Sequence, residues 1–281
     1  MAVGPTTRRR QLGAALRRLR EAKGLPLEEA GARVGISKAT LSRYETKEGV
    51  VKWPAVDALC REYEASEEER LALVELAKGA KIQGWWRSLA DPIPDSMNLM
   101  LTLEDEVVRE DHYACMYIPG LLQTRAYAEA VHRASEVQCS EQEVQHMVDI
   151  RMKRQELLDR EEPPHLWCVV DEAALRRRVG GNDVMRDQLH HLLAASRRPH
   201  VTVQVLPFSK GAHAAAVGSF AVLRGPSREL DVVYVDLIGG GLFMEKPQEL
   251  ERYRLAFEYL SAQALDLESS AEIIGRISKE S

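Results

Sequence analysis

Residues 24–45 read GLPLEEAGARVGISKATLSRYE. Gly24 is a helix-ending residue, because glycine enters the left-handed conformation without a Cβ clash. Leu25 follows as an apolar anchor. Pro26 opens a short second helix, and Glu28 and Glu29 complement the positive end of its dipole. Ala30, Gly31 and Val34 continue it. Gly31 costs helix propensity and so predicts a close helix contact. Gly35 breaks the helix, Ile36 turns back to the core, and Ser37 is a good N-cap for a third helix over 38–45. Leu41 and Tyr44 share the buried face of that helix. Lys38, Ala39, Ser42 and Arg43 lie opposite, on a face that is small, polar and basic. Such a face suits a DNA major groove, where small side chains permit approach and Arg or Lys donates to guanine.

On the N-terminal side, Leu12, Leu16 and Leu19 recur at helical spacing with Arg17, Arg18 and Arg20 between them, which predicts a first helix. On the C-terminal side, Val56, Leu59, Cys60 and Tyr63 give residues 54–63 an apolar face. Leu71, Val74 and Leu76 do the same for 67–78. Charge separates along the chain. Residues 1–52 hold 12 Lys and Arg against 5 Asp and Glu, and the remainder holds 26 against 38. A basic end on an acidic chain points that end at a polyanion. Arg8, Arg9 and Arg10 read equally as a solubilising tail or as a phosphate or minor-groove arm.

This segment resembles the Cro/repressor-type (XRE) helix-turn-helix family. The matching residues are Leu16, Leu19, Arg20, Gly24, Leu25, Gly31, Val34, Gly35, Ser37, Leu41, Ser42, Tyr44 and Glu45. The resemblance implies five helices over 1–80. It places Lys38, Ala39 and Arg43 at base-reading positions and Ser37, Thr40 and Ser42 near phosphates. It also implies a structural ion pair between Arg20 and Glu45. The family often has a phosphate-binding Gln at the start of its second helix. Leu27 stands there in this chain, and Lys47 and Lys52 in the following loop are the expected replacements.

Residues 81–98 read as a linker, with Gly84, Trp85-Trp86 and Asp91-Pro92-Ile93-Pro94. The tryptophan pair is expected to anchor it by packing. Residues 99–281 then read as an α+β domain. Helices are expected over 99–110, 124–134, 140–160 (with Ser140 and Glu143 as a capping box), 171–178, 183–195, 248–265 and 270–277. Extended segments are expected over 112–118, 166–170, 201–206, 219–223 and 232–237, forming a small antiparallel sheet with helices around it. Gly239-Gly240-Gly241 reads as a turn. The run IPGLLQT with YA following, then LWCVVDEAALRR and VTVQVLPF, is similar to a C-terminal domain of actinobacterial XRE-type regulators. Members of that group resemble antitoxins, many thought to work with a small acidic partner encoded beside them. Pro119, Gly120, Leu121, Leu122, Gln123 and Thr124 are the candidate partner or effector region, a turn that would line a pocket with the sheet if the domain senses a small molecule.

No enzyme is expected. His190, His191, His200 and His213 show no metal-ligand spacing, and no cofactor or metal site is expected. Asp171 and Glu172 serve as a helix start, and no nucleophile–base pair is evident. Cys60, Cys115, Cys139 and Cys168 fit neither a zinc motif nor a disulfide framework. The triple arginine has no apolar run behind it and no stretch approaches a bilayer span, so a cytoplasmic location is expected. The reading is a homodimeric, sequence-specific DNA-binding transcriptional regulator. Its second domain supplies dimer contacts and partner or effector control. The alternatives are an antitoxin-like adaptor that binds a small neighbouring-gene protein, and a small-molecule sensor.

Overall fold

A computed structural model describes residues 7–45, 51–77, 95–105, 107–135, 139–215, 218–226, 228, 231–238 and 240–280. Lys47, the linker tryptophans Trp85 and Trp86, and most of the expected linker lie outside them. The chain divides into two compact units, with the main boundary between Arg87 and Ser88, inside the expected linker.

The first unit is five helices: α1 (Thr7–Ala22), α2 (Leu27–Arg33), α3 (Lys38–Glu45), α4 (Trp53–Glu62) and α5 (Glu67–Ala77). Gly24 stands at φ 64° and Gly35 at φ 72°. Each ends its helix with the same hydrogen-bond pair: Leu25 N–H to Arg20 O with Gly24 N–H to Glu21 O, and Ile36 N–H to Gly31 O with Gly35 N–H to Ala32 O. These Schellman ends satisfy the last carbonyls and turn the chain sharply. A third end, after α4, has the same pattern with Glu64 at φ 54°. Leu16, Leu41, Val56, Leu59 and Cys60 are fully buried in one core. Two glycines permit close approach. A Cβ on Gly13 would stand 2.7 Å from Tyr44 O, and one on Gly31 would stand 2.6 Å from Ile36 O. In α5 the expected apolar face is rotated: Leu73 and Val74 are buried while Leu71 is exposed.

The second unit holds α6 (Asp95–Glu104), β1 (Arg109–Ala114), α7 (Arg125–Ser135), α8 (Glu141–Gln155), β2 (His165–Asp171), α9 (Glu172–Arg176), α10 (Asn182–Ala195), β3 (Val201–Leu206), β4 (Phe220–Arg224), β5 (Val232–Leu237), β6 (Gly240–Met244), α11 (Pro247–Gln263) and α12 (Leu267–Glu280). The sheet order is β3-β2-β1-β4-β5-β6. The sheet is not antiparallel throughout. β1, β2 and β3 run parallel, and β4, β5 and β6 add antiparallel to β1's other side. The reason is connectivity: parallel neighbours need a long crossover, and α7–α8 and α9–α10 supply two helical ones. The domain is therefore α/β, with a mixed six-stranded sheet.

Two further differences have local causes. The helix expected over 99–110 stops at Glu104, because Arg109-Glu110-Asp111 are charged residues within a central strand. Asp111 is fully buried there; it accepts from Arg109 Nε at 2.7 Å and also pairs with Arg224, while Glu110 meets His112 Nδ1 at 2.8 Å. Buried charges of this kind persist only when paired. Gly240 and Gly241 are not a turn but the start of β6. The Tyr234 ring lies over Gly241, where a Cβ would come within 2.2 Å of it. One face of the parallel half packs Leu166, Cys168, Val170, Val201, Val203 and Val205 against α10 and α12. The opposite face of the sheet packs Val169, Leu206 and Phe220 against α11.

Candidate nucleic-acid interface

Helix α3 presents two unlike faces. Leu41 and Glu45 are buried, Tyr44 is half-buried against the core, and Ser37, Lys38, Ala39 and Arg43 are exposed. Thr40 and Ser42 are half-buried between these faces. Ser37 caps the helix: Thr40 N–H donates to Ser37 Oγ at 3.1 Å, and the two hydroxyls lie 2.9 Å apart. The cap leaves the first turn of α3 with an ordered hydroxyl pair beside exposed Lys38. Arg43 Nε folds back on Ala39 O at 3.3 Å. That bond is weak and solvent-exposed, so the guanidinium is free to exchange it for a stronger acceptor. Lys38 Nζ stands 3.8 Å from Glu28 Oε2 with both side chains largely exposed, a pairing worth little in water. Lys52 is exposed just ahead of α4. Leu27, at the first position of α2, packs on the core.

What holds α3 in place lies behind it. Arg20 Nε and Nη2 donate to Glu45 Oε1 and Oε2 at 2.7 and 2.8 Å, and Arg20 Nη1 donates to Leu25 O at 2.8 Å. One buried guanidinium thus ties the end of α1, the entry to α2 and the end of α3. The Glu45 hydrogen bonds hold the Arg20 charge more firmly than usual. Bidentate geometry with the third donor also satisfied is what makes a buried pair tolerable. Gly13 completes the fit by letting α1 touch the last carbonyls of α3.

In the second unit, residues 119–124 form a buried junction. Pro119, Leu121, Leu122 and Gln123 are buried, while Gly120 and Thr124 are half-buried. Gln123 Nε2 donates to Ile118 O and Gln188 Nε2 to Leu122 O, both at 2.7 Å. Gln155 Nε2 donates to Gly120 O at 2.9 Å and to Gln123 O at 2.7 Å. Tyr127, one turn into α7, accepts from Ile118 N–H. As a partner or effector surface this run offers little side chain. Its polar groups are spent on α8 and α10. Arg151, Arg154 and Gln155 on α8, the other half of this junction, were not singled out by the sequence. Their i, i+3, i+4 spacing on one helix face was the available signal.

Among the described residues no group of His, Cys, Asp and Glu could hold a metal ion, and no helix is long and apolar enough to cross a membrane. His213 is engaged with Tyr113 and Ala215 N–H, and Asp171 caps α9 through Ala173 N–H at 2.8 Å.

The first unit is thus a helix-turn-helix module, and a helix-turn-helix domain model matches residues 11–73. A model described as a domain of unknown function (DUF5753) matches residues 97–276. That match spans more than half of the chain, and the chain belongs to the DUF5753 family. Comparison with curated proteins and with solved structures gives no match.

Proposed function

We propose that the protein is a sequence-specific transcriptional regulator that reads the major groove with α3. The observation that carries this is the division of α3. Lys38, Ala39 and Arg43 are exposed together while Leu41 and Glu45 are locked inside. A rigid helix with small and basic residues outward is what direct readout requires. Lys38, Ala39 and Arg43 are assigned to bases. Ser37, Thr40, Ser42 and Lys52 are assigned to phosphates, with Lys47 beside them in sequence. A homodimer would present two such helices to half-sites about 34 Å apart or a multiple of that. The test is selection of the bound DNA sequence, followed by Arg43→Ala. Binding to the selected site should fall by about 1–3 kcal/mol while random DNA is affected far less. Equal loss on both would mean that Arg43 touches phosphate only.

The second unit is read as the control and interaction domain. Among the described residues, five of its nine exposed large apolar side chains lie on the β5–β6 hairpin, at Leu237, Ile238 and Leu242, and on α11, at Leu255 and Tyr259. That observation favours a protein partner, either a second copy or a small neighbouring-gene protein as in an antitoxin-like adaptor. Co-purification with such a product, lost on Ile238→Asp, tests it.

A further inference from the structure

Arg151 is a cation with no ion-pair partner among the described residues. It sits on α8, packed behind the 119–124 junction, and only partly open to solvent. Its one side-chain hydrogen bond among the described residues is Nη1 to the neutral Gln123 Oε1 at 2.7 Å. No described carboxylate lies within ion-pair distance of it. A guanidinium has five donors, so most of its capacity is unspent. Its neighbour is another cation. A Cβ on Gly120 would stand 3.7 Å from Arg154 Nη1 and 3.8 Å from both Arg151 Cζ and Nε, so both guanidiniums crowd one point. Arg154 clasps buried Glu104 with two hydrogen bonds, from Nε and Nη2. Glu104 therefore pairs directly with Arg154 and reaches Arg151 only as a minor, longer-range charge.

The surroundings extend the same pattern. His132 on α7 faces both arginines, and its Nε2 is buried with no hydrogen-bond partner among the described residues. Across from Arg151, Tyr234 and Asp236 of β5 lie within electrostatic reach, with the Tyr234 hydroxyl donating to Asp236. Asp236 is exposed and so is a weak, screened counter-charge. Burial and the charge of Arg154 lower the Arg151 pKa to about 10. A protein retains a largely desolvated cation with no direct ion pair beside a second cation only at a cost, unless an anion completes the site.

We propose that Arg151 is the binding group of a small-oxyanion site, for a phosphate monoester or a carboxylic acid, between α8, the 119–124 junction and β5. The free edge of the guanidinium takes two oxygens in parallel, as arginine does with carboxylate and phosphate. The junction is then the wall of the site rather than its contact surface. Its Gln123 aims Arg151, and Gly120 leaves room over the two guanidiniums. The anion would tie α8 to β5, which gives a ligand a route to the stability of this domain.

Full-length protein is titrated with inorganic phosphate and, separately, with succinate, against sodium chloride at matched ionic strength. Calorimetry and thermal unfolding are read without DNA. At least one of the two anions should bind saturably and raise Tm, and the tighter of them identifies the oxyanion class. Arg151→Gln keeps a neutral amide donor but removes the charge and the fork, and should weaken binding at least tenfold. Arg151→Lys keeps the charge but loses the fork and should weaken it severalfold. Asp236→Asn removes the competing charge and should tighten it. Arg43→Ala should leave it unchanged, which separates this site from phosphate binding on α3 and lets either proposal fail alone. Binding of neither anion, or unchanged affinity in Arg151→Gln, overturns the inference. If Arg151→Gln does not fold, unchanged affinity in both Arg151→Lys and Asp236→Asn overturns it.

Discussion

Cutting the Arg20–Glu45 pair at Glu45 leaves the buried Arg20 charge with only the Leu25 carbonyl and a longer contact to the exposed Glu21 carboxylate at 3.6 Å. Glu45→Ala should therefore cost about 3–5 kcal/mol in chemical unfolding, far more than a surface pair. Arg20→Met with Glu45→Leu should recover most of that loss, because two apolar groups of similar size leave nothing unpaired. Tyr63 offers the converse case. Its hydroxyl is buried with no hydrogen-bond partner among the described residues. Tyr63→Phe should be neutral or stabilising by about 1 kcal/mol, since a buried unpaired hydroxyl is a cost. His132 gives a pH signature. Burial, with Arg151 and Arg154 close by, lowers its folded pKa to about 4 from an ordinary value of about 6.5. The unfolded chain then binds the extra proton between those values. Its contribution is full above about pH 6.5 and is lost as pH falls toward 4, by about 3 kcal/mol in all. The difference in unfolding free energy between the wild type and His132→Asn should shrink with that slope over that window. A parallel pair of pH curves would sink the assignment.

At the scale of elements, α3 is placed by contact at its end as much as by its own propensity. Gly13→Ala would put a methyl 2.7 Å from Tyr44 O and 2.9 Å from Glu45 O, both backbone atoms. Helix α1 must then move away from α3, at about 1–3 kcal/mol by the usual cost of overpacking. Operator affinity should fall with it, although Gly13 touches no DNA in this reading. Unchanged stability and unchanged operator binding would show that the two helices are not rigidly coupled. Helix α8 is anchored at its start by the capping box, where Ser140 and Glu143 satisfy each other's backbone N–H groups at 2.7 and 3.3 Å. Ser140→Ala should cost about 1 kcal/mol in thermal unfolding.

For the whole molecule the relevant quantity is charge. The basic first 52 residues precede an acidic remainder, so in the proposed function nonspecific DNA affinity is expected to rest on the first unit. Operator binding should weaken steeply between 50 and 200 mM salt, and Lys52→Ala should lower the slope of log K against log salt by about 1 per protomer contact. A slope that does not change would remove Lys52 from the phosphate set.

Much of the helix-turn-helix was legible because its signals are local. Gly24, Gly35 and Ser37 announce helix ends by backbone preference. The spacing of Leu41 and Tyr44 separates the inside of α3 from its outside within a single turn. The residues alone placed α3 over 38–45, its observed span. The strands of the second unit were partly legible for the same reason, as at 201–206. What stayed hidden was what depends on distant partners. Periodicity says that a strand exists but not which neighbour it takes, so the parallel pairing of β1, β2 and β3 emerged only with the crossovers in place. The charged strand Arg109–Ala114 reads as polar because its compensating groups, Arg224 among them, are far along the chain. PGLLQT likewise looks like a surface turn until Gln155 and Gln188 close on it. The sequence alone determined the local geometry and the charge of α3. Only the tertiary structure decided the sheet's direction, and which arginine was paired and which, Arg151, has no ion-pair partner among the described residues. Pairing is a property of space rather than of order along the chain.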